Sequence, residues 1–381
     1  MSQLKKTVDV KAFVILCLCV LVVVLAYGLV IKAAGTKTLP ANTALTPAQQ
    51  TIEWKLVTSW PKHFPGLGTA PEVFAENVYK MSNGRLQVKV YGAGEIVPAL
   101  GVFDAVSNGS VEMGHSGAYF WKGKTVSSVF FTTIPFGMTA QEMNAWLYEG
   151  GGLELWQEVY APFGIKPLAG GNSGVQMAGW FNKEINSIED IQGLVMRIPG
   201  VAGEVFSRLG GQSVTISGGE LYTSLKTGVI DAVEWVGPYN DLAMGFHEVA
   251  KYYYYPGWHE PGSTIEMMVN QEAFDRLPKD LQAIVEVAAK AANQSMLDEY
   301  TAKNNAALKE LVEVHGVQFK RLPDDVLAKL HQETDSVIAE MIADDPLAKK
   351  VYSSYSTFAK SVHDYHQVSE KALLEARDIA Y

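Results

Sequence analysis

The chain has 381 residues, of which 48% are hydrophobic and 19% charged, as is typical of a globular protein. This length is enough for about two domains with well-filled cores. The formal net charge of −10 argues against nucleic acid as a partner and against simple electrostatic capture of an anion. An anionic ligand would therefore have to be held by local positive groups.

The N-terminal segment predicts export. Lys5, Lys6 and Lys11 precede an uncharged, apolar stretch from Ala12 to Ile31, which is long enough to span a bilayer with the lysines on the cytoplasmic side. Residues 1–34 are interpreted as a cleaved signal peptide or an uncleaved membrane anchor. Both remain open, because the apolar stretch is long for a signal peptide and is followed by a poor cleavage site.

The two cysteines of the chain, Cys17 and Cys19, both lie in this apolar stretch. The exported body therefore has no disulfide, no cysteine nucleophile and no thiolate metal site. Residues 35–52 are rich in Ala, Thr, Pro and Gln and are predicted to form a flexible spacer.

From Glu53 onward, strand and helix patterns alternate, which predicts an α/β fold. Residues 103–113 resemble residues 221–232, since each segment reads as a helix, a glycine and a strand that opens near an acidic residue. Such units are common in α/β proteins, so the similarity has a trivial explanation. The alternative is two similar lobes that each contribute one unit to the wall of a cleft.

The C-terminal third is predicted to be mostly helical. Pro278 to His315 forms one long helix, and a second begins at Asp345-Pro346, a good N-cap and first-turn pair. About 30 helical residues would extend roughly 45 Å. Apolar residues recur there at helical spacing: Leu347, Val351, Tyr355, Phe358, Val362 and Tyr365. This stripe predicts packing on another subunit; packing on its own chain is the alternative.

Catalytic motifs are absent from the sequence. There is no Gly-x-Ser-x-Gly, no phosphate-binding glycine loop and no His-Glu-x-x-His. His363 and His366 have a spacing that suits zinc, but histidines on helix surfaces are usually unliganded.

Arg197 is the strongest binding candidate. It ends an apolar strand just before Pro199, and strand ends in α/β domains open onto ligand crevices. A guanidinium matches a carboxylate through two parallel hydrogen bonds, whereas the structural alternative is an internal salt bridge.

Three further polar residues have apolar settings. Glu234 follows a strand, whereas Glu266 and Gln176 lie within apolar segments. A buried acid must be paired, neutralised or bound to a cation. Carboxylate and amide oxygens suit Ca²⁺ or Na⁺ rather than zinc, although spacing alone does not show that these residues meet.

From about Trp54 to the C-terminus, the chain resembles the substrate-binding subunits of tripartite ATP-independent periplasmic (TRAP) transporters. Within that family it is similar to the branch that binds 2-oxo acids and related monocarboxylates. The resemblance depends on four segments taken together: LVMRIPG at 194–200, GVIDAVEW at 228–235, GPYND at 237–241 and YYPGWHEPG at 254–262.

The resemblance implies a two-lobed α/β periplasmic binding protein fold. It has crossing strands, a long spanning helix and an extra C-terminal helix that makes a homodimer. Lobe I is expected over residues 53–173 and 263–305, lobe II over 174–262 and 306–344, and the dimerisation helix over 345–381.

The resemblance also implies the roles of individual residues. Arg197 clamps the ligand carboxylate, while Gln176, Glu234 and the backbone carbonyl of Trp235 hold a cation. Tyr119, Asn172 and the Trp235 ring are expected pocket walls. Glu266 is a possible departure from the family, since a second carboxylate would favour Ca²⁺ over Na⁺.

The predicted function is capture of a short carboxylate such as pyruvate or lactate in the periplasm. The lobes close around the ligand, and the closed protein delivers it to TRAP membrane subunits without catalysis. An uncleaved N-terminal segment would tether the protein to the membrane. The rival hypotheses are a module serving a membrane sensor and a metal-dependent enzyme, which would need a general acid or base at the ligand.

Overall fold

The computed structural model describes residue 18, residues 20–24 and residues 51–379. Most of the predicted signal or anchor segment and the spacer up to residue 50 lie outside the described residues. Residues 18 and 20–24 are helical. No helix among the described residues combines the length and the apolar character that a membrane span requires.

The unit that begins at Thr51 contains two mixed β-sheets. Its strands are β1 (Ile52–Thr58), β2 (Leu86–Tyr91), β3 (Met113–Ser116), β4 (Ile165–Asn172), β5 (Gly179–Phe181), β6 (Val195–Arg197), β7 (Gln212–Val214), β8 (Ala232–Val233), β9 (Tyr252–Tyr255), β10 (Thr264–Asn270) and β11 (Gln318–Arg321). The first sheet has the order β2-β1-β3-β10-β4, and the second has the order β11-β9-β5-β8-β6-β7.

The helices cover the faces of these sheets. They are α1 (Thr69–Met81), α2 (Val102–Ser107), α3 (Ala140–Glu149), α4 (Gly152–Tyr160), α5 (Gly200–Arg208), α6 (Leu221–Thr227), α7 (Pro238–Met244), α8 (Gln271–Asp275), α9 (Lys279–Glu313), α10 (Asp324–Ile342), α11 (Pro346–His366) and α12 (Glu370–Asp378). The two-lobed α/β architecture predicted from the sequence is therefore confirmed.

The two sheets repeat one plan. In the first, β1 pairs in parallel with both β2 and β3, and in the second, β6 pairs in parallel with both β7 and β8. One antiparallel strand then follows in each sheet, β10 beside β3 and β5 beside β8. The similar segments 103–113 and 221–232 provide the helix that precedes β3 and the helix that precedes β8. They therefore occupy equivalent places in the two sheets.

Two segments cross between the sheets side by side. Residues 173–178, the first crossover, connect β4 to β5, and residues 256–263, the second crossover, connect β9 to β10. The backbone N–H of Ser173 donates to the carbonyl of Ser263 at 3.0 Å. At Gly257 a Cβ atom would lie 2.0 Å from the Gln176 carbonyl oxygen, so a side chain at 257 would prevent this close approach.

Helix α9 spans the molecule, as predicted for a helix over 278–315. It packs against β4 and α1 of the first sheet and against α7 of the second. Buried alanines along α9, such as Ala288, Ala289 and Ala292, allow it to lie close to the first sheet. The strands of each sheet fall in the ranges expected for one lobe, apart from Ile52, and the exact lobe boundaries stay a prediction.

The C-terminal region differs from the single helix predicted over 345–381. Asp345 is the expected N-cap, and its side chain accepts from the N–H groups of Leu347 and Ala348 at 2.9 Å. Helix α11 ends at His366, and Ser369, just beyond it, has non-helical backbone angles. Two helices of 21 and 9 residues result.

Most of the predicted apolar stripe packs on its own chain. Val351 and Tyr355 are buried, and the Tyr355 hydroxyl accepts from the Met138 N–H at 3.0 Å. Tyr365, at the end of the stripe, remains 65% exposed. These residues of α11 thus contact their own chain, and the role of the C-terminal region in a homodimer stays a prediction.

Candidate functional site

Arg197 is the last residue of β6, and its side chain is only 2% exposed. Its Nη1 atom donates to the carbonyl of Glu234 at 2.7 Å and to Oε2 of Glu234 at 3.0 Å. Its Nε atom donates to the carbonyl of Ile216 at 3.4 Å. Among the described residues, no acceptor takes a hydrogen bond from Nη2. The predicted binding arginine is thus held through Nε and Nη1, which leaves the N–H groups of Nη2 for a ligand.

Glu234 comes directly after β8, and the parallel pairing of β6 and β8 brings it beside Arg197. The Glu234 side chain is fully buried, and burial raises its pKa to about 7 against the lowering effect of Arg197. Its Oε2 atom pairs with Arg197, but Oε1 accepts no hydrogen bond from any of the described residues. One carboxylate oxygen therefore faces the site without a hydrogen bond.

The two crossovers bring three more polar side chains to this point. Gln176 lies in the first crossover, and His259 and Glu260 lie in the second. Ligand atoms of Glu234, His259 and Glu260 all lie within 4.8 Å of one another, and all three residues are buried. The Nε2 atom of His259 is 3.4 Å from Oε1 of Glu234. Burial lowers the pKa of His259 to about 4, so its ring is neutral at pH 7.

Unpaired buried atoms are concentrated at this site. Within residues 51–379 they include Oε1 of Gln176, Oε1 of Glu234, both ring nitrogens of His259 and Nε1 of Trp235. A buried polar atom without a partner costs roughly 1–3 kcal/mol, so such a cluster indicates that a ligand completes it.

The charges of the site favour a cation. Burial and, to a smaller extent, the nearby Glu234 carboxylate raise the pKa of Glu260 to about 7. When both carboxylates are ionised, the site has one more negative group than the Arg197 guanidinium offsets. The amide oxygen and carboxylate oxygens are hard donors, which fit Ca²⁺ or Na⁺.

The three residues predicted to line the ligand pocket differ in their surroundings. The Trp235 ring lies 5.1 Å from the Arg197 guanidinium and packs edge-on against Trp60. Tyr119 packs edge-on against Phe120, and burial, together with the carboxylates of Glu260 and Glu234, raises the pKa of its hydroxyl. Asn172 is buried at the end of β4, but its amide bonds within the protein, to Gly174, Gly262 and Thr264.

The structure does not bring Glu266 to this cluster. Glu266 lies within β10, and its two oxygens accept hydrogen bonds from Nε1 of Trp121 and from the hydroxyl of Tyr160. Both oxygens are therefore already paired. The second carboxylate at the candidate cation site is Glu260.

The histidine pair weighed as a zinc site also has protein partners. His366 lies between two carboxylates, with Nδ1 2.5 Å from Glu142 and Nε2 3.1 Å from Glu370. His363 contacts Gln367 at 3.2 Å.

Sequence reasoning placed no site role on His259, Glu260 or Ser263. They lie in an irregular segment, where neither helical nor strand periodicity predicts which side chains point inward. The usable signal was an adjacent histidine and glutamate enclosed by Pro256-Gly257 and Pro261-Gly262, since such residues fix the backbone of a chain segment.

Comparison with known proteins agrees with this geometry. Residues 56–345 match the family model "Bacterial extracellular solute-binding protein, family 7". A monocarboxylate 2-oxoacid-binding periplasmic protein of Nostoc sp. is 41% identical over 343 residues, which is 87% of this chain and 93% of that protein.

Two solved TRAP periplasmic solute-binding proteins have similar structures. One, from Pseudoalteromonas atlantica with bound sodium and pyruvate, has a TM-score of 0.83 and 45% identity, covering 86% of this chain and 99% of that chain. The other, from Colwellia psychrerythraea with bound calcium and pyruvate, has a TM-score of 0.84 and 45% identity, covering 86% and 100%. The chain therefore belongs to family 7 of the bacterial extracellular solute-binding proteins, the substrate-binding subunits of TRAP transporters.

Proposed function

We propose that this protein binds a short 2-oxo or 2-hydroxy monocarboxylate, such as pyruvate or lactate, together with a Ca²⁺ or Na⁺ ion. One observation carries the proposal: a buried guanidinium lies beside a buried carboxylate whose second oxygen has no donor. The Nostoc relative is a 2-oxoacid-binding protein, and the two solved proteins hold pyruvate, which supports the ligand class.

Arg197 supplies the positive charge for the ligand carboxylate. Its contacts with Glu234 and Ile216 fix the guanidinium plane and leave Nη2 free to donate. A charge-assisted hydrogen bond in a buried site is stronger than one in water, and a planar guanidinium selects a planar carboxylate. The Trp235 ring excludes water from one side, and Tyr119 offers a hydroxyl on another.

The cation is proposed to bind Oε1 of Gln176, Oε1 of Glu234 and the backbone carbonyl of Trp235. The first two atoms are buried and have no partner among residues 51–379, as expected of ligands that an ion completes. Glu260, which is not one of these three proposed ligands, is the second carboxylate beside the cation, because Glu260 lies in the cluster and Glu266 is paired elsewhere.

The charge balance favours Ca²⁺ over Na⁺. With a monocarboxylate bound and both glutamates ionised, Arg197 and a divalent ion together neutralise the site. Na⁺ leaves one negative charge without compensation in a buried place, which is costly. One of the two solved relatives has bound sodium and the other has bound calcium, which supports either cation.

The role proposed for the bound protein is delivery of the ligand to TRAP membrane subunits, without catalysis. A metal-dependent enzyme would need a general acid or base at the ligand, and a sensor module would share the same binding site. Recovery of unchanged pyruvate after prolonged incubation with Ca²⁺ supports binding; a new product would support the enzyme.

Two finer features complete the proposal. The C-terminal end exposes apolar side chains, with Val368 75% exposed and Leu373 61% exposed, which supports a homodimer through this region. The N-terminal segment, if it is retained, tethers the protein to the membrane beside its transport partners.

The test is thermal unfolding of the purified protein after chelation, with short carboxylates and with Ca²⁺ or Na⁺ restored. A ligand at 100 times its dissociation constant stabilises the folded state by about 2.7 kcal/mol. We expect stabilisation that requires both the acid and the cation. It should disappear in Arg197→Met and persist in Glu266→Gln, a matched control at a buried ionisable residue outside the site. No stabilisation by any acid with either cation would contradict the proposal.

A further inference from the structure

The side chain of Gln176 is held in one orientation. Its Nε2 atom donates to Oγ of Ser173 at 3.0 Å and to Oε2 of Glu260 at 2.7 Å, which uses both amide hydrogens. Gln176 is 4% exposed, and its Oε1 atom has no partner among the described residues. The amide therefore satisfies its donors and leaves its acceptor free.

Glu260 also fixes the backbone of Gln176. The N–H of Gln176 donates to the Glu260 carbonyl at 3.1 Å, so one residue holds both ends of the glutamine. The Glu260 carboxylate is held in turn by the hydroxyl of Ser263, which donates to the same Oε2 atom. These bonds join the two crossovers where they lie side by side.

We propose that Glu260 is a positioning residue that presents the amide oxygen of Gln176 to the bound cation. The proposal rests on the proposed function, in which Gln176 is a cation ligand. A carboxylate only accepts hydrogen bonds, so it can bind the NH₂ side of the amide and not the oxygen side. Rotation of the amide by 180° would place its oxygen against the carboxylate and its NH₂ group towards the cation, and both contacts would be repulsive.

The competing role for Glu260 is direct ligation, because its carboxylate lies within 4.8 Å of ligand atoms of Glu234 and His259. The two roles predict different couplings between Glu260 and Gln176. A positioning residue acts through Gln176, so its loss removes the benefit of the glutamine. An independent ligand contributes separately, and its loss leaves the benefit of the glutamine intact.

The experiment measures Ca²⁺ affinity by calorimetry at saturating pyruvate, with a parallel Na⁺ series, in chelator-treated full-length protein. Gln176→Met is introduced into the wild type, Glu260→Gln and Glu260→Met. Glu260→Gln is the conservative variant, since its amide oxygen can still accept the hydrogen bond. Thermal unfolding in chelator checks that each variant is folded, and Glu260→Ala repeats the comparison with a smaller side chain should Glu260→Met fold poorly.

We expect Gln176→Met to weaken Ca²⁺ binding by at least about tenfold in the wild type and in Glu260→Gln. In Glu260→Met the same substitution should cost less than about twofold, which is within the usual error of additivity. An equal penalty in all three backgrounds would overturn the proposal and assign direct ligation to Glu260. A wild type that binds neither Ca²⁺ nor Na⁺ with pyruvate would instead overturn the proposed function.

Discussion

Glu266 and Glu234 are two fully buried carboxyl groups with opposite surroundings. Burial raises the pKa of Glu266 to about 8 and that of Glu234 to about 7. Both oxygens of Glu266 accept hydrogen bonds, from Trp121 and Tyr160, whereas Oε1 of Glu234 has no donor among the described residues. Glu266 thus has hydrogen-bond partners for both oxygens within the protein, whereas Glu234 has a partner for only one among the described residues.

The different surroundings of Glu266 and Glu234 follow from their positions in the two sheets. Glu266 lies inside β10, which is paired on both sides with β3 and β4, so its side chain enters a closed aromatic layer. Glu234 follows the end of β8 and faces the two crossovers. A buried acid in an apolar segment thus indicates a perturbed pKa, but only an unpaired oxygen indicates a ligand site.

The largest loss of stability is expected when Arg197, the ion-pair partner of Glu234, is replaced. Arg197→Met leaves Glu234 buried without its cation and should lower the free energy of unfolding by about 3–5 kcal/mol. Glu234→Gln in the same chain removes the uncompensated charge, so the double variant should recover most of this stability without recovering pyruvate binding. Urea unfolding in chelator measures the free energy of unfolding of both variants. A double variant as unstable as Arg197→Met would show that lost packing, not charge, causes the effect.

Glu266 should make stability depend on pH. Its folded pKa of about 8 exceeds the ordinary value of 4.5, so its contribution is complete below pH 4.5 and is lost as the pH rises towards 8. Over that window stability should fall by about 1.4 kcal/mol per pH unit. Glu266→Gln removes this dependence. The difference between the two unfolding curves isolates Glu266 from other buried acids, and parallel curves would show that it is ionised when folded.

Tyr160→Phe should be destabilising without affecting ligand binding. It removes the hydroxyl that donates to Oε2 of Glu266 at 2.8 Å and leaves that oxygen buried without a donor. The expected cost is about 1–3 kcal/mol in the free energy of unfolding. Trp121→Phe removes the other donor and should act in the same direction. If either variant weakened pyruvate binding as strongly as Arg197→Met, Glu266 would belong to the site after all.

The sequence predicted features that depend on local patterns. The long helix over 278–315, the Asp345 N-cap and the position of Arg197 at a strand end follow from periodicity, capping chemistry and a proline stop. The roles of Glu260 and Glu266 depend on the direction in which their side chains point. Glu260 lies in an irregular segment, and Glu266 lies in a strand that is paired on both sides. Neighbouring residues do not set these side-chain directions, because they are determined by contacts between residues far apart in the chain, such as that of Tyr160 with Glu266.

The smallest expected change in stability is at His259. Both of its ring nitrogens are buried without a partner among the described residues, so His259→Phe breaks no hydrogen bond. A swap of similar volume should change the free energy of unfolding by less than about 1.5 kcal/mol, in contrast to Tyr160→Phe. Pyruvate affinity at saturating Ca²⁺ should fall, because the unpaired nitrogens face the ligand site. A loss of stability as large as that of Tyr160→Phe would mean that His259 is already satisfied within the protein, and unpaired atoms would then no longer separate the site from the core.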